Sequence, residues 1–135
     1  LRFSASARIT PDATVWPTRA GDTQIEQAIP SEFGGPGGAL SPEDLFAMAV
    51  LNCYLATYRS IAEKSNLAYA ELSGSCEILV DMIDGTRSIL SAALKVSIVS
   101  PRKPELAQTI SETAKKHCII HNSVSTAIDM RFRVG

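Results

Sequence analysis

The chain has 135 residues, 45% of them hydrophobic and 20% charged, with 13 basic against 14 acidic groups and a net charge of −1. That length fits a single domain over 1–135, and so apolar a composition excludes a disordered chain. A net charge near zero supplies no overall field for collecting phosphates, so neither nucleic acid nor an anionic membrane is expected as a partner.

Phe3, Ala5, Ala7 and Ile9 alternate with Ser4, Ser6, Arg8 and Thr10, the period-2 pattern of a half-buried strand. Pro11-Asp12 and Pro17 to Asp22 read as turn or loop around a short Thr14-Val15-Trp16 piece, ahead of Thr23 to Ile29. Pro30 to Leu40 holds four glycines and two prolines and predicts a loop. It ends at a helix start, with Ser41 as N-cap, Pro42 at the first helical position, and Glu43 and Asp44 in the first turn.

The predicted helix runs from about Pro42 to Lys64. Its segment from Leu45 to Tyr58 carries no charge for 14 residues, short of the roughly 20 that a membrane span needs. Apolar residues occupy every side of that segment, which predicts burial all round. A chain this small does not cover such a helix alone, so a sheet on one side and a second subunit on the other are expected.

After Asn66 a period-2 pattern returns, with Leu72, Gly74, Cys76, Ile78, Val80 and Met82 on one face. Asp84-Gly85 is a hairpin signal, and Leu90, Ala92, Leu94, Val96 and Ile98 form the inward face of the return strand. Pro101 and Pro104 open a second helix to about Cys118, along which Leu106, Ile110, Ala114 and Cys118 recur at i+4. A last strand puts Val124, Thr126, Ile128, Met130, Phe132 and Val134 on one face. This order predicts an α+β fold with helices packed on antiparallel sheets.

Three cysteines, Cys53, Cys76 and Cys118, are an odd and widely spaced set. They fit free or redox-active thiols in a reducing cytosol better than a disulfide framework. With no basic segment followed by an apolar stretch and a small-residue cleavage site at the start, the expected location is cytoplasmic. Cys76 falls on the apolar face of its strand, the usual place of a buried structural thiol. By position alone Cys53 is also a core residue, and Cys118 is undecided. His117, Cys118 and His121 offer metal ligands within five residues, but nothing completes a four-coordinate set, so no metal is expected. A helix C-terminus disfavours a thiolate at Cys118, and a buried Cys53 needs a nearby cation to ionise.

The run PSEFGGPGGALSPEDLFAMAVLNCYLATYRSIAEKSNL, with the later AKKHCIIHNSVSTAI, resembles the OsmC/Ohr family of osmotically inducible and organic hydroperoxide resistance proteins. The shared features are a Gly-rich loop, a Ser-Pro-Glu helix start, a cysteine-bearing central helix and a second cysteine segment, in the same element order along nearly the whole chain. The resemblance implies an intertwined homodimer acting as a thiol peroxidase on organic hydroperoxides. It has Cys53 as the attacking residue, Cys118 as the resolving one, no bound cofactor, and an external dithiol, of lipoyl type for example, as reductant. It also implies an arginine that stabilises the thiolate and a glutamate that orients the arginine.

Glu43 stands at the matching glutamate position, but ten residues along one helix put it ~15 Å from Cys53, too far for contact. The arginine departs from the family pattern, since Ser31-Glu32-Phe33 has none where one is expected. Arg19, in a loop, is the candidate, ahead of Arg8 on the outward face of a strand. The family's proline after the second cysteine is replaced by Ile119. Two other readings remain: a small-ligand binding module of the same fold holding an apolar molecule near Phe46, Tyr54 and Trp16, and a thiol hydrolase with His117 or His121 as base.

Overall fold

Residues Leu1–Leu45 form one unit of the computed structural model, which describes residues 1–135, and Phe46–Gly135 form another. In the first unit, β1 (Ala5–Ala7), β2 (Val15–Ala20) and β3 (Thr23–Ala28) make an antiparallel sheet in the order β1-β2-β3. The opening strand is shorter than the alternation from Phe3 to Thr10 predicts, and it is exposed throughout. The stretch predicted as loop after Trp16 instead continues β2 to Ala20. Pro17 is accommodated there because β1 pairs only as far as Thr18, leaving β2 a neighbour on one side at that position. The tight turn is Gly21-Asp22, with Gly21 at φ 58°, as a two-residue hairpin beginning with glycine requires.

The Gly-rich segment is a loop, as expected, held by Gly37 N–H donating to Ile29 O at 3.0 Å and Ala28 N–H donating to Leu40 O at 2.9 Å. The next helix, α1 (Pro42–Lys64), starts and stops on local signals. Asp44 Oδ2 accepts from both the backbone N–H and the hydroxyl of Ser41, each at 2.9 Å, while Ser41 Oγ accepts from Asp44 N–H at 3.1 Å. This is a reciprocal cap with Asp in place of the more usual Glu. At the other end Asn66 takes φ 53°. Leu67 N–H then reaches Ala62 O at 2.9 Å and Asn66 N–H reaches Glu63 O at 3.2 Å, which satisfies two orphan carbonyls and tucks Leu67 against Ala62.

Within the single chain, burial of α1 is one-sided, and the side expected to meet a second subunit is exposed. Val50, Tyr54, Tyr58 and Ala62 form a buried i+4 stripe, whereas Met48, Asn52, Ala56 and Ser60, also spaced by four, are exposed. By length and composition α1 would pass for a membrane span, but Tyr54, Tyr58 and Ala62 are packed in the core with Leu94, Val96 and Ile98.

In the second unit β4 (Glu71–Ile83) and β5 (Thr86–Val99) form the expected hairpin. Asp84 and Gly85 take φ 50° and 80°, the pair of left-handed residues that this turn demands. Leu79 pairs with Ser91 and Val80 with Ile89, so Leu90 is an extra residue opposite none. The bulge it makes lies where the predicted alternation fails, and Met82 beyond it is exposed.

After β5 the chain crosses through α2 (Pro104–His117) and α3 (Ile119–Ser123) before β6 (Ala127–Val134) pairs with β5 in parallel. The second sheet, ordered β4-β5-β6, is therefore mixed rather than antiparallel. A helical crossover returns the chain in the direction it left, whereas a tight turn reverses it. Ala92, Leu94, Val96 and Ile98 on the central strand are all 2% exposed or less.

Helix α1 docks through its tyrosines. Tyr54 donates to Ser111 O at 3.0 Å, Tyr58 donates to Ala107 O at 3.2 Å, and the Tyr54 ring stacks on Phe132 at 5.4 Å. Close approach to β4 needs Gly74, where a Cβ would lie 2.8 Å from Lys95 O and 3.0 Å from Leu51 Cδ1. Alanine has the better strand propensity, yet Gly74→Ala is expected to destabilise the protein by about 1–3 kcal/mol in urea unfolding, because backbone must move to admit the methyl group. An unchanged or raised midpoint would show that the sheet yields freely there.

Candidate active site

Helical register determines where the two thiols of interest lie. Cys53 precedes the buried Tyr54 by one residue, so it sits at the edge of the buried stripe and is half-buried. Cys118 follows Ile110 and Ala114 at i+4 steps and is fully buried. It ends α2 and begins α3 at once, with extended backbone at φ −72°, ψ 109°. Its carbonyl accepts from Asn122 N–H at 3.0 Å.

This junction brings the sulfurs together. The Cys118 thiol lies close enough to the Cys53 thiol for the latter to influence its ionisation, and Cys53 Sγ accepts from Ile120 N–H at 3.5 Å. Burial pushes the Cys118 thiol up to about 11, with the Cys53 sulfur adding to the rise and the backbone N–H groups of His121 and Ile120 opposing it. Ionisation of Cys118 is thus disfavoured, as the sequence predicts, but the main cause is loss of solvent rather than the C-terminal dipole. Cys76, opposite Leu94 on the inner face of β4, is also pushed up by burial. It occupies the structural position expected of it.

Cys53 opens onto a groove of about 550 Å³ whose walls include Ile61, Thr113 and Ile119, with Lys64 supplying a cation and His117 an imidazole. Two groups here escape sequence reasoning, the Ile120 N–H and Lys64. Lys64 carries a readable signal, since it lies eleven residues after Cys53, three helical turns along the same face. The Ile120 donor depends on the break at Cys118, which no pattern in Ile119-Ile120-His121 announces.

Two other predicted groups, Arg19 and Glu43, belong to the first unit. Arg19 is in strand β2 and not in a loop, opposite Gln24 on one side and Ser6 on the other, and its side chain is exposed. It borders a shallow depression of the first unit together with Arg8, which falls just beyond β1. Glu43 belongs to the same unit, and its Oε2 is buried without a hydrogen-bond partner. His117 is exposed and His121 half-buried, with Nδ1 of His121 buried and unpartnered. Neither is paired with a carboxylate, so the orienting acid of a hydrolase dyad is missing. No three His, Cys, Asp or Glu side chains are placed to share a metal ion.

Two free thiols close together across a helix junction, on an α+β frame with the Ser-Pro-Glu helix start, define the class. The family model described as OsmC-like protein matches residues 35–133, and the chain belongs to that family. The match takes in Glu43, Cys53 and Cys118 and leaves Arg8 and Arg19 outside. An organic hydroperoxide resistance protein of Xanthomonas axonopodis pv. citri is 29% identical over 105 residues, covering 76% of this chain and 72% of the relative. The uncharacterized protein YmaD of Bacillus subtilis is 24% identical over 113 residues, covering 80% and 75%. Among solved structures, an OsmC-like protein of unknown function from Vibrio cholerae superposes with a TM-score of 0.85 at 17% identity, over 98% of this chain and 99% of that one.

The burial difference between the thiols has a measurable consequence. Iodoacetamide is expected to label the half-buried Cys53 ahead of the fully buried Cys118, which stays unlabelled until pH rises towards 11, as read by peptide mass spectrometry. Equal labelling of both at pH 8 would contradict the environment described for Cys118.

Proposed function

We propose that the protein is a thiol-dependent peroxidase that reduces organic hydroperoxides, and the observation that carries this reading is the proximity of the Cys53 and Cys118 thiols. The Cys53 thiolate attacks the distal oxygen of ROOH, the O–O bond breaks, and RO⁻ takes a proton to leave as ROH. Cys53 is left as a sulfenic acid. The Cys118 sulfur displaces its hydroxyl, which leaves as water, and a Cys53–Cys118 disulfide forms. An external dithiol, the lipoyl type included, then reduces the disulfide and is itself oxidised. No bound cofactor enters this cycle, and free thiols of this kind suit the cytoplasm.

The half-exposed sulfur on the groove is suited to attack and the fully buried one to resolution. Ile120 N–H is a donor to the Cys53 sulfur that remains available in the thiolate form. The resemblance implies an activating arginine oriented by a glutamate, and in this proposal Arg19 and Glu43 take those roles. A buried carboxylate oxygen left without a partner is costly, and Glu43 Oε2 is such an atom, ready for a guanidinium. The homodimer belongs to the same proposal, because the exposed Met48–Asn52–Ala56 side of α1 offers a surface for a second copy. Light scattering should report a dimer, and a monodisperse monomer at micromolar concentration would sink that part.

A groove at Cys53 with no arginine in its walls favours one alternative, an OsmC-like module that binds a small apolar ligand without turnover. Trapping with a dimedone-type reagent separates the two, since only the peroxidase forms a sulfenic acid.

Cys53→Ser is expected to abolish peroxide consumption. Cys118→Ser should complete one oxidation and then stall with sulfenic or overoxidised Cys53, while Cys76→Ser turns over normally. Equal single-turnover rates for wild type and Cys53→Ser would overturn the assignment. For the cation, Arg19→Met should raise the pH at which Cys53 alkylates. An unmoved profile would transfer the role to Arg8 or to the groove's own Lys64 and His117.

A further inference from the structure

The face of the β4-β5-β6 sheet turned away from α1 and α2 carries a concavity of about 420 Å³ that the peroxidase reading does not use. Register aligns Ser75, Lys95 and Arg131 in one row across the three strands and Ser73, Ser97 and Arg133 in the next. Between the rows lie Gly74, Val96 and Phe132, whose side chains belong to the core face. Val96 is 2% exposed and Phe132 is stacked on Tyr54.

Three cations and three hydroxyls therefore line one depression with no carboxylate in either row. Lys95 and Arg131 are direct neighbours across strands, a like-charge pairing that costs stability unless an anion offsets it. The one ion pair present, Arg131 Nε to Asp129 Oδ2 at 3.2 Å, is largely solvent-exposed, and Lys95 and Arg133 pair with no carboxylate.

The borders of the patch limit what fits. One row further on stand Glu77 and Asp129, and beyond the opposite row stands Glu71. An extended polyanion lying along the strands would run into these carboxylates, whereas a compact one stays between them. Strands lie about 4.8 Å apart and alternate residues about 6.6 Å apart, so the three cations span the size of one small molecule. The volume also falls within the range of small-ligand sites, about 300–1,000 Å³.

We propose that this sheet face binds a small phosphorylated molecule bearing at least two phosphate groups. Arg131 and Arg133 supply forked donors matched to phosphate oxygens, Lys95 a point charge on the neighbouring strand opposite Arg131, and the serine hydroxyls adjustable donors for the remaining oxygens. The site is separate from the thiol pair, so its occupancy and peroxide turnover can be tested independently.

The test is calorimetric titration of the intact protein with inorganic diphosphate, inorganic phosphate, citrate and a single-stranded oligonucleotide at low ionic strength. Diphosphate should bind saturably at one site per chain and more tightly than phosphate or citrate. Lys95→Ser and Arg133→Ser should each weaken it roughly tenfold, the cost of one charge-assisted contact, with unchanged circular dichroism and thermal midpoint. Asp129→Asn, which frees Arg131, should bind diphosphate at least as tightly as wild type, and it keeps the proposal testable if a cation variant misfolds. Absence of saturable diphosphate binding, indifference to both cation substitutions, citrate binding as tightly as diphosphate, or binding of the oligonucleotide alone would each overturn the proposal.

Discussion

The thiol chemistry of this chain depends on how one helix is pinned to another. Tyr54 and Tyr58 each carry a hydroxyl into a dry interior and donate it to a carbonyl of α2. Burial pushes the Tyr58 phenol up to about 12 and the Tyr54 phenol further still, so both remain protonated donors throughout the range in which thiol chemistry operates. A buried hydroxyl without its acceptor would be costly, so the two bonds choose one rotation and one translation of α1 against α2. Cys53 follows from that choice, because it is the residue next to Tyr54. Cys118 follows from it too, because it lies one turn beyond Ala114.

The same docking makes the two thiols unequal. A residue one step off the buried stripe meets the groove, and a residue on the stripe does not. Solvent access, more than any charge, divides the sulfurs into one that can meet a substrate and one that can meet only its neighbour. The backbone break at Cys118 adds Ile120 N–H, a donor aimed at the Cys53 sulfur by the start of α3. Cys76 is a useful contrast: it shares the burial and the upward push of its thiol, but no second sulfur is placed beside it.

Charge placement follows the same logic. The net charge of −1 speaks for the chain as a whole and supplies no long-range field for nucleic acid. It says nothing about Lys95, Arg131 and Arg133, which three strands bring into two adjacent rows while acidic residues occupy the rows on either side. An averaged charge hides that pattern because residues distant in sequence form it.

Local signals were legible wherever the deciding interaction spans a few residues. Ser41, Pro42 and Asp44 mark the start of α1, Asn66 marks its end, Asp84-Gly85 marks the hairpin, and Pro104 opens α2. Each works through caps or dihedral preferences that need no distant partner. The motif around Glu43, Cys53 and Cys118 was legible as a family resemblance for the same reason. Tertiary structure alone decided the one-sided burial of α1, the parallel pairing of β6 with β5, the strand that runs through Pro17 to hold Arg19, the Ile120 donor and the cationic sheet face. These depend on which segment lies beside which, and an apolar or charged residue in a sequence does not say what will lie against it.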